Sequence, residues 1–177
     1  MPMSTTLLAV SPATLLGLEA NPDSIHEVES KRTFDTYLWT TIPYFLTDGQ
    51  DDGEDADDDA DDADDRGPTH PLSPVLDGVR SVPCARLENG AFYVVPAEDV
   101  AKLSRLLAAV DHAQIRRAVL EADLEEILDG EVWEELEQLD LSEPEEVAAS
   151  LLVDLQSLTA FYAWASHAGL AIVGYTT

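Results

Sequence analysis

Lysine is almost missing from this sequence: 2 residues in 177, beside 7 arginines and against 36 aspartates and glutamates. Nucleic-acid affinity comes mainly from Lys and Arg that neutralise phosphates, so the charge balance excludes a nucleic-acid-binding role. The same field repels anionic lipid surfaces. Cysteine is nearly absent as well. Cys84 stands alone, so no intramolecular disulfide can form, which fits a reducing compartment. Its neighbours Val82, Pro83 and Ala85 include no histidine or cation to favour a thiolate. Cys84 therefore reads as a small buried hydrophobe. Long apolar runs are missing too, and no window is expected to reach the roughly 20 apolar residues of a membrane span. The apolar stretch Leu7–Leu18 is interrupted by Pro12, and the first cation is Lys31, a pattern unlike a signal peptide. The expectation is a cytoplasmic chain with no membrane partner.

Catalytic signatures are equally sparse. There is no glycine-rich phosphate loop, no G-x-S-x-G elbow and no H-E-x-x-H. The histidines at 26, 70, 112 and 167 carry no metal-ligand spacing. No catalytic residue, cofactor or metal is assigned, and the balance is against an enzyme.

What the sequence has is acid. The formal net charge is −27, and 12 of the 18 residues from Asp48 to Asp65 are acidic. Removing those 12 charges leaves −15, so the remainder is acidic in its own right. Such a field favours encounters with basic partners. A high-salt or solubility adaptation explains the same charge with equal standing. Residues 48–67 contain no apolar side chain larger than alanine and cannot offset the entropy of ordering, so a disordered loop insert is expected there. A calcium loop does not fit: counting from Asp55, the sixth position is Ala60 and the twelfth is Arg66, where glycine and glutamate are required. Length and 45% hydrophobic content suit one domain over residues 1–177.

The segments outside that insert predict an α+β fold. Thr5–Val10 reads as a buried strand, and Ser11-Pro12 as a helix start with serine at the cap. The spacing of Leu38, Ile42 and Phe45 predicts a helix up to about Thr41, with a bend at Pro43. Val75 to Gly78 is a turn. Asn89-Gly90 signals a hairpin joining Cys84–Leu87 to the strand Ala91–Val95. Helices follow from Pro96 and from Asp111, and an acidic helical stretch covers 124–139. Ser142 and Glu145 form a capping box for a last helix with Val147, Leu151, Leu155, Leu158 and Tyr162 on one face. Gly169 ends that helix, and Leu170–Tyr175 is a strand at the centre of the sheet. The sheet is small, mixed or antiparallel, with about three to four strands packed by several helices.

In their order and spacing these segments resemble the YfbM-like family, a domain of unknown function. The opening MPM and LLAVSPATLLGL are similar to its first strand and helix, and WTTIPYFLTD to its tryptophan segment. PLSPVLDG resembles its Pro-Leu turn, FYVVPAEDV its strand running into a helix, and LTAFYAWASHAGLAIVGY its closing helix and strand. The resemblance spans nearly the whole chain outside the acidic insert. Three departures stand out. Thr36 and Tyr37 occupy the place of a common Asp-Lys pair, and Pro43 that of a frequent histidine. Leu128-Asp129-Gly130 lies where an Ile-Tyr-Pro segment is usual. The resemblance implies the fold, whereas function rests on sites.

Two functional readings of different class remain. One is a non-catalytic interaction protein, immunity- or inhibitor-like, whose acidic surface engages a basic protein. The alternative is a small-molecule-binding domain or unrecognised enzyme with an aromatic-lined pocket formed by Trp39, Tyr44, His70, Asp77 and Tyr93.

Overall fold

The computed structural model describes residues 4–38, 41–47, 70–124 and 143–176. Trp39, the acidic run 48–67 and nearly all of the stretch read as helical over 124–139 lie outside the described residues. Five strands form one antiparallel sheet: β1 (Thr5–Val10), β2 (Arg32–Thr36), β3 (Arg80–Pro83), β4 (Ala91–Val95) and β5 (Ala171–Thr176). Their order is β2-β1-β5-β4-β3, so β5 is central, as its apolar run predicts.

The helical elements are α1 (Pro12–Ala20), a 3-10 turn (Pro22–Glu27), α2 (Thr41–Leu46), α3 (Pro74–Asp77), α4 (Ala97–Ala108), α5 (His112–Glu121) and α6 (Pro144–His167). Leu7, Phe34, Val95 and Ile172 share one buried cluster with residues of α4, α5 and α6. Leu8, Val10, Phe92, Val94 and Val173 pack with Leu15, Leu18, Ile25, Cys84 and Leu87 in a second. Both sheet faces are thus covered. That is why β1 and β5 read as nearly continuous apolar runs rather than alternating ones.

The sheet exceeds the three to four strands expected from sequence, because two strands hide behind other signals. Phe34, Leu38, Ile42 and Phe45 mimic a helix face, yet 32–36 is an edge strand with only Phe34 and Thr36 buried. The helix starts later, at Thr41, and runs through Pro43. Pro43 is tolerated because it falls in the first turn, where its missing N–H would have no intrahelical acceptor. The hairpin partner of β4 is Arg80–Pro83, not Cys84–Leu87. Cys84–Leu87 belongs to the connecting turn, closed by the Cys84 N–H to Gly90 O bond at 2.7 Å.

Several caps follow the sequence. Ser11 Oγ accepts from the Thr14 N–H at 3.0 Å with Pro12 beside it, and Asp111 Oδ1 accepts from Ala113 and Gln114. Gly169 adopts φ 64° just past α6. The capping box at Ser142 falls outside the described residues. The cap of α6 is Glu143, which makes no side-chain capping bond, and Glu145 pairs with Arg116 at 2.5 Å.

By length and composition α6 is long and apolar enough to cross a membrane, against the expectation from sequence. Here its stripe Val147, Leu151, Leu155, Leu158 and Tyr162 is buried in the first cluster, the place of a core helix. Each of these leucines contributes about 1.5–3 kcal/mol through burial.

Candidate functional site

The PLSPVLDG segment lies between the sheet and α6, held by a local turn at His70, a bond from α6 and close backbone approach to the sheet. His70 Nδ1 accepts from the Leu72 N–H at 3.2 Å, and the Ser73 N–H donates to the His70 carbonyl at 2.9 Å. The Tyr162 hydroxyl, fully buried, reaches from α6 to the Val75 carbonyl at 2.6 Å. Gly78 has φ 72°, and a Cβ there would stand 2.8 Å from Tyr93 Cβ and 2.9 Å from Val94 N. Gly174 on β5 lies below the same segment: a Cβ there would be in ordinary contact with the Leu76 carbonyl at 3.7 Å, and would crowd Leu7 Cδ2 at 2.8 Å.

Of the sequence-derived candidates, His70 and Asp77 thus belong to this short segment, and Tyr93 of β4 lies against its end at Gly78. Asp77 ends α3 and is exposed. Its carboxylate also acts on Tyr162, whose pKa is raised well above the ordinary 10.0, first by burial and then by Asp77. Tyr162 stays a neutral hydrogen-bond donor. Tyr44, the fourth candidate, is half-buried on α2 and meets Phe45 edge-on, with ring centroids 5.1 Å apart. Trp39 lies outside the described residues.

Sequence reasoning missed two polar networks. Thr36, buried in β2, donates to Asp154 Oδ2 at 2.6 Å and accepts from the Leu38 N–H at 2.9 Å. Thr36 thus fixes the edge strand to α6. On the opposite sheet face, Thr6 donates to Asp35 Oδ1 at 2.6 Å, and Tyr175 meets His26 edge-on at 6.0 Å. Burial and the Asp35 carboxylate raise the Tyr175 pKa, opposed by the Thr6 hydroxyl. The only signal for these networks was polar residues inside strands, which names no partner.

A cavity of about 610 Å³ opens between α1 and the segment that follows it. Ser11, Gly17 and Asn21 contribute from one side and Ser24, Glu27, Glu29 and Lys31 from the other. No group of three or more His, Cys, Asp or Glu able to hold a metal occurs among the described residues. Cys84 is buried, with its thiol directed to the Pro22 carbonyl at 3.4 Å, a structural setting as its sequence context predicts.

Comparison with known proteins agrees with this architecture. No curated protein matches the chain significantly in sequence. The structure is similar to the crystal structure of YfbM from Escherichia coli, a protein of unknown function, with a TM-score of 0.71 and 16% identity, over 98% of this chain and 99% of that one. At that identity the likeness establishes the shared fold alone. The model of a domain of unknown function, DUF1877, matches residues 1–175, and the chain belongs to that family.

Proposed function

We propose that this chain is a non-catalytic interaction domain whose acidic surface engages a basic protein, in the manner of an immunity protein or an inhibitor. The observation that carries the reading is the charge: −27, with 36 carboxylates against 9 Lys and Arg. Some of those few cations are already engaged within the chain. Arg80 pairs with Glu19, Arg116 pairs with Glu145, and the Arg32 guanidinium lies 5.7 Å from the Trp164 ring centre. Little positive surface is left to offset a long-range negative field, and such a field steers basic partners and speeds encounter.

The competing reading, a ligand pocket or active site at Tyr44, His70, Asp77 and Tyr93, has weaker support. His70 and Tyr93 are engaged in seating the 70–78 segment, which is a structural task. Tyr162, packed against the same segment, is held neutral by burial and is unsuited to donate or take a proton near neutral pH.

The test is affinity capture from native lysate at low salt with the full chain and a variant lacking residues 48–65, followed by titration of the isolated partner against salt. A stoichiometric basic protein whose affinity falls steeply as salt rises supports the proposal. No such protein with either bait overturns it.

A further inference from the structure

We infer that the outward face of α6 is the contact between two copies of this chain, packed antiparallel about a two-fold axis at Gln156. The side of α6 that carries Leu151, Leu155 and Leu158 is buried in the first cluster. On the opposite side Ala149, Val153, Gln156, Ala160, Ala163 and His167 are all exposed, Val153 by 60%. Their spacing is four, three, four, three and four, the repeat of a coiled-coil seam. Leu152 and Trp164, half-buried, flank that seam. A helix that is apolar all round belongs inside a larger body.

Charge selects the occupant. Aspartate and glutamate make up 36 of 177 residues, yet Asp154 is the one charged residue from 147 to 166, and Thr36 already donates to it. Two chains at −27 repel wherever their acidic surfaces meet, so a second copy approaches closely only through a face without charge. A basic protein gains nothing from such a face.

The seam is also complementary to itself, as an isologous contact requires. With the axis at Gln156, Ala149 falls against Ala163 of the second copy and Val153 against its Ala160. No two bulky side chains oppose each other, and the helix axes can close to about 8 Å. The two Gln156 amides face each other, each donating to the other's side-chain oxygen. At the ends the exposed Glu145 falls opposite His167, an acceptor facing a donor. From 145 to 167 the contact is about 33 Å long. One helix of that length gives an interface at the small end of the specific range, so association is reversible and concentration-dependent.

Sedimentation equilibrium of the full chain over a concentration series is the test. A monomer–dimer equilibrium is expected, with a limiting mass twice 19.2 kDa. Dimerisation strengthens as salt rises, because salt screens the repulsion between the chains, whereas binding of a basic partner weakens. Ala160→Glu, at an exposed helical position, sets a carboxylate against Val153 and weakens dimerisation by about tenfold. Leu16→Gln, at an apolar α1 residue that is 67% exposed, leaves it unchanged. Oxidative cross-linking reads the register, since the other thiol, Cys84, is buried. Gln156→Cys cross-links to its own copy, and Ala149→Cys cross-links to Ala163→Cys when the two are mixed.

A monomer at every concentration overturns the inference, including one that binds lipid vesicles through α6. So does a dimer that weakens with salt, or one that Ala160→Glu leaves intact. Cross-linking of Ala149→Cys to its own copy marks a parallel pair and overturns the two-fold seam.

Discussion

The Tyr162 hydroxyl and the Val75 carbonyl are joined by a buried hydrogen bond of 2.6 Å across 87 residues of chain. Helix and sheet grip the 70–78 segment from opposite sides, and this bond is the helix's hold on it. Tyr162→Phe keeps the ring but leaves the carbonyl without its donor. The expected loss is about 1–3 kcal/mol, read as a lower midpoint in chemical denaturation with an unchanged slope.

The same tyrosine ties stability to alkaline pH. Its folded pKa lies above the ordinary 10.0, so the neutral form is the one the fold favours. The resulting stability is fully present below pH 10 and is lost as pH rises further. Tyr175 is shifted in the same direction and contributes to the same slope. Stability measured from pH 8 to 11 is expected to hold to about pH 10 and then to fall in the parent, and to fall less in Tyr162→Phe. Equal slopes would refute the assignment.

Two glycines should respond in opposite senses to the same substitution. Gly78→Ala forces a positive φ on a residue with a Cβ and drives that carbon against Tyr93 and Val94, for a loss of about 3 kcal/mol. Gly17→Ala sits inside α1 with open space around it, and a gain of about 0.5–1 kcal/mol is expected. Thermal melts of the two variants side by side check both signs.

Thr36→Val removes the donor to Asp154 and the acceptor for the Leu38 N–H while preserving side-chain shape. A loss of about 1–3 kcal/mol is expected. A double-mutant cycle with Asp154→Asn should return a coupling of about 1 kcal/mol. A coupling near zero would show that the edge strand is anchored to α6 by packing alone.

Cys84 is 2% exposed, so its thiol should react with a disulfide reagent only as the fold opens. The labelling rate is expected to rise with denaturant in step with unfolding. Fast labelling of the native protein would place the thiol in a mobile region.

Where a local rule has a local partner, the sequence was legible. Ser11 with Thr14, Asp111 with Ala113 and Gly169 after α6 each satisfy backbone groups within a few residues, and all are found as read. The edge strands were not legible, because an edge strand carries little buried apolar surface. In β3 the four side chains are exposed or half-buried, and in β2 the spacing of Phe34 to Leu38 counterfeits a helix. The grouping of His70, Asp77 and Tyr93 about one segment was legible as composition but not as geometry. Its organiser, Tyr162, reads in sequence as one more apolar position on a helix, and only the packed fold shows where its hydroxyl goes.

The position of β5 bears on how the molecule is made. It pairs with β1 on one side and β4 on the other, so the β1–β2 and β3–β4 strand pairs have no strand contact with each other until it arrives. Residues 171–176 are also the last of the sheet to leave the ribosome. During synthesis the chain must therefore carry two half-sheets, each with an apolar flank unpaired, until residues 171–176 have emerged. The nascent protein is most exposed to misassembly in that interval, and its completion is a late, long-range event rather than a stepwise one.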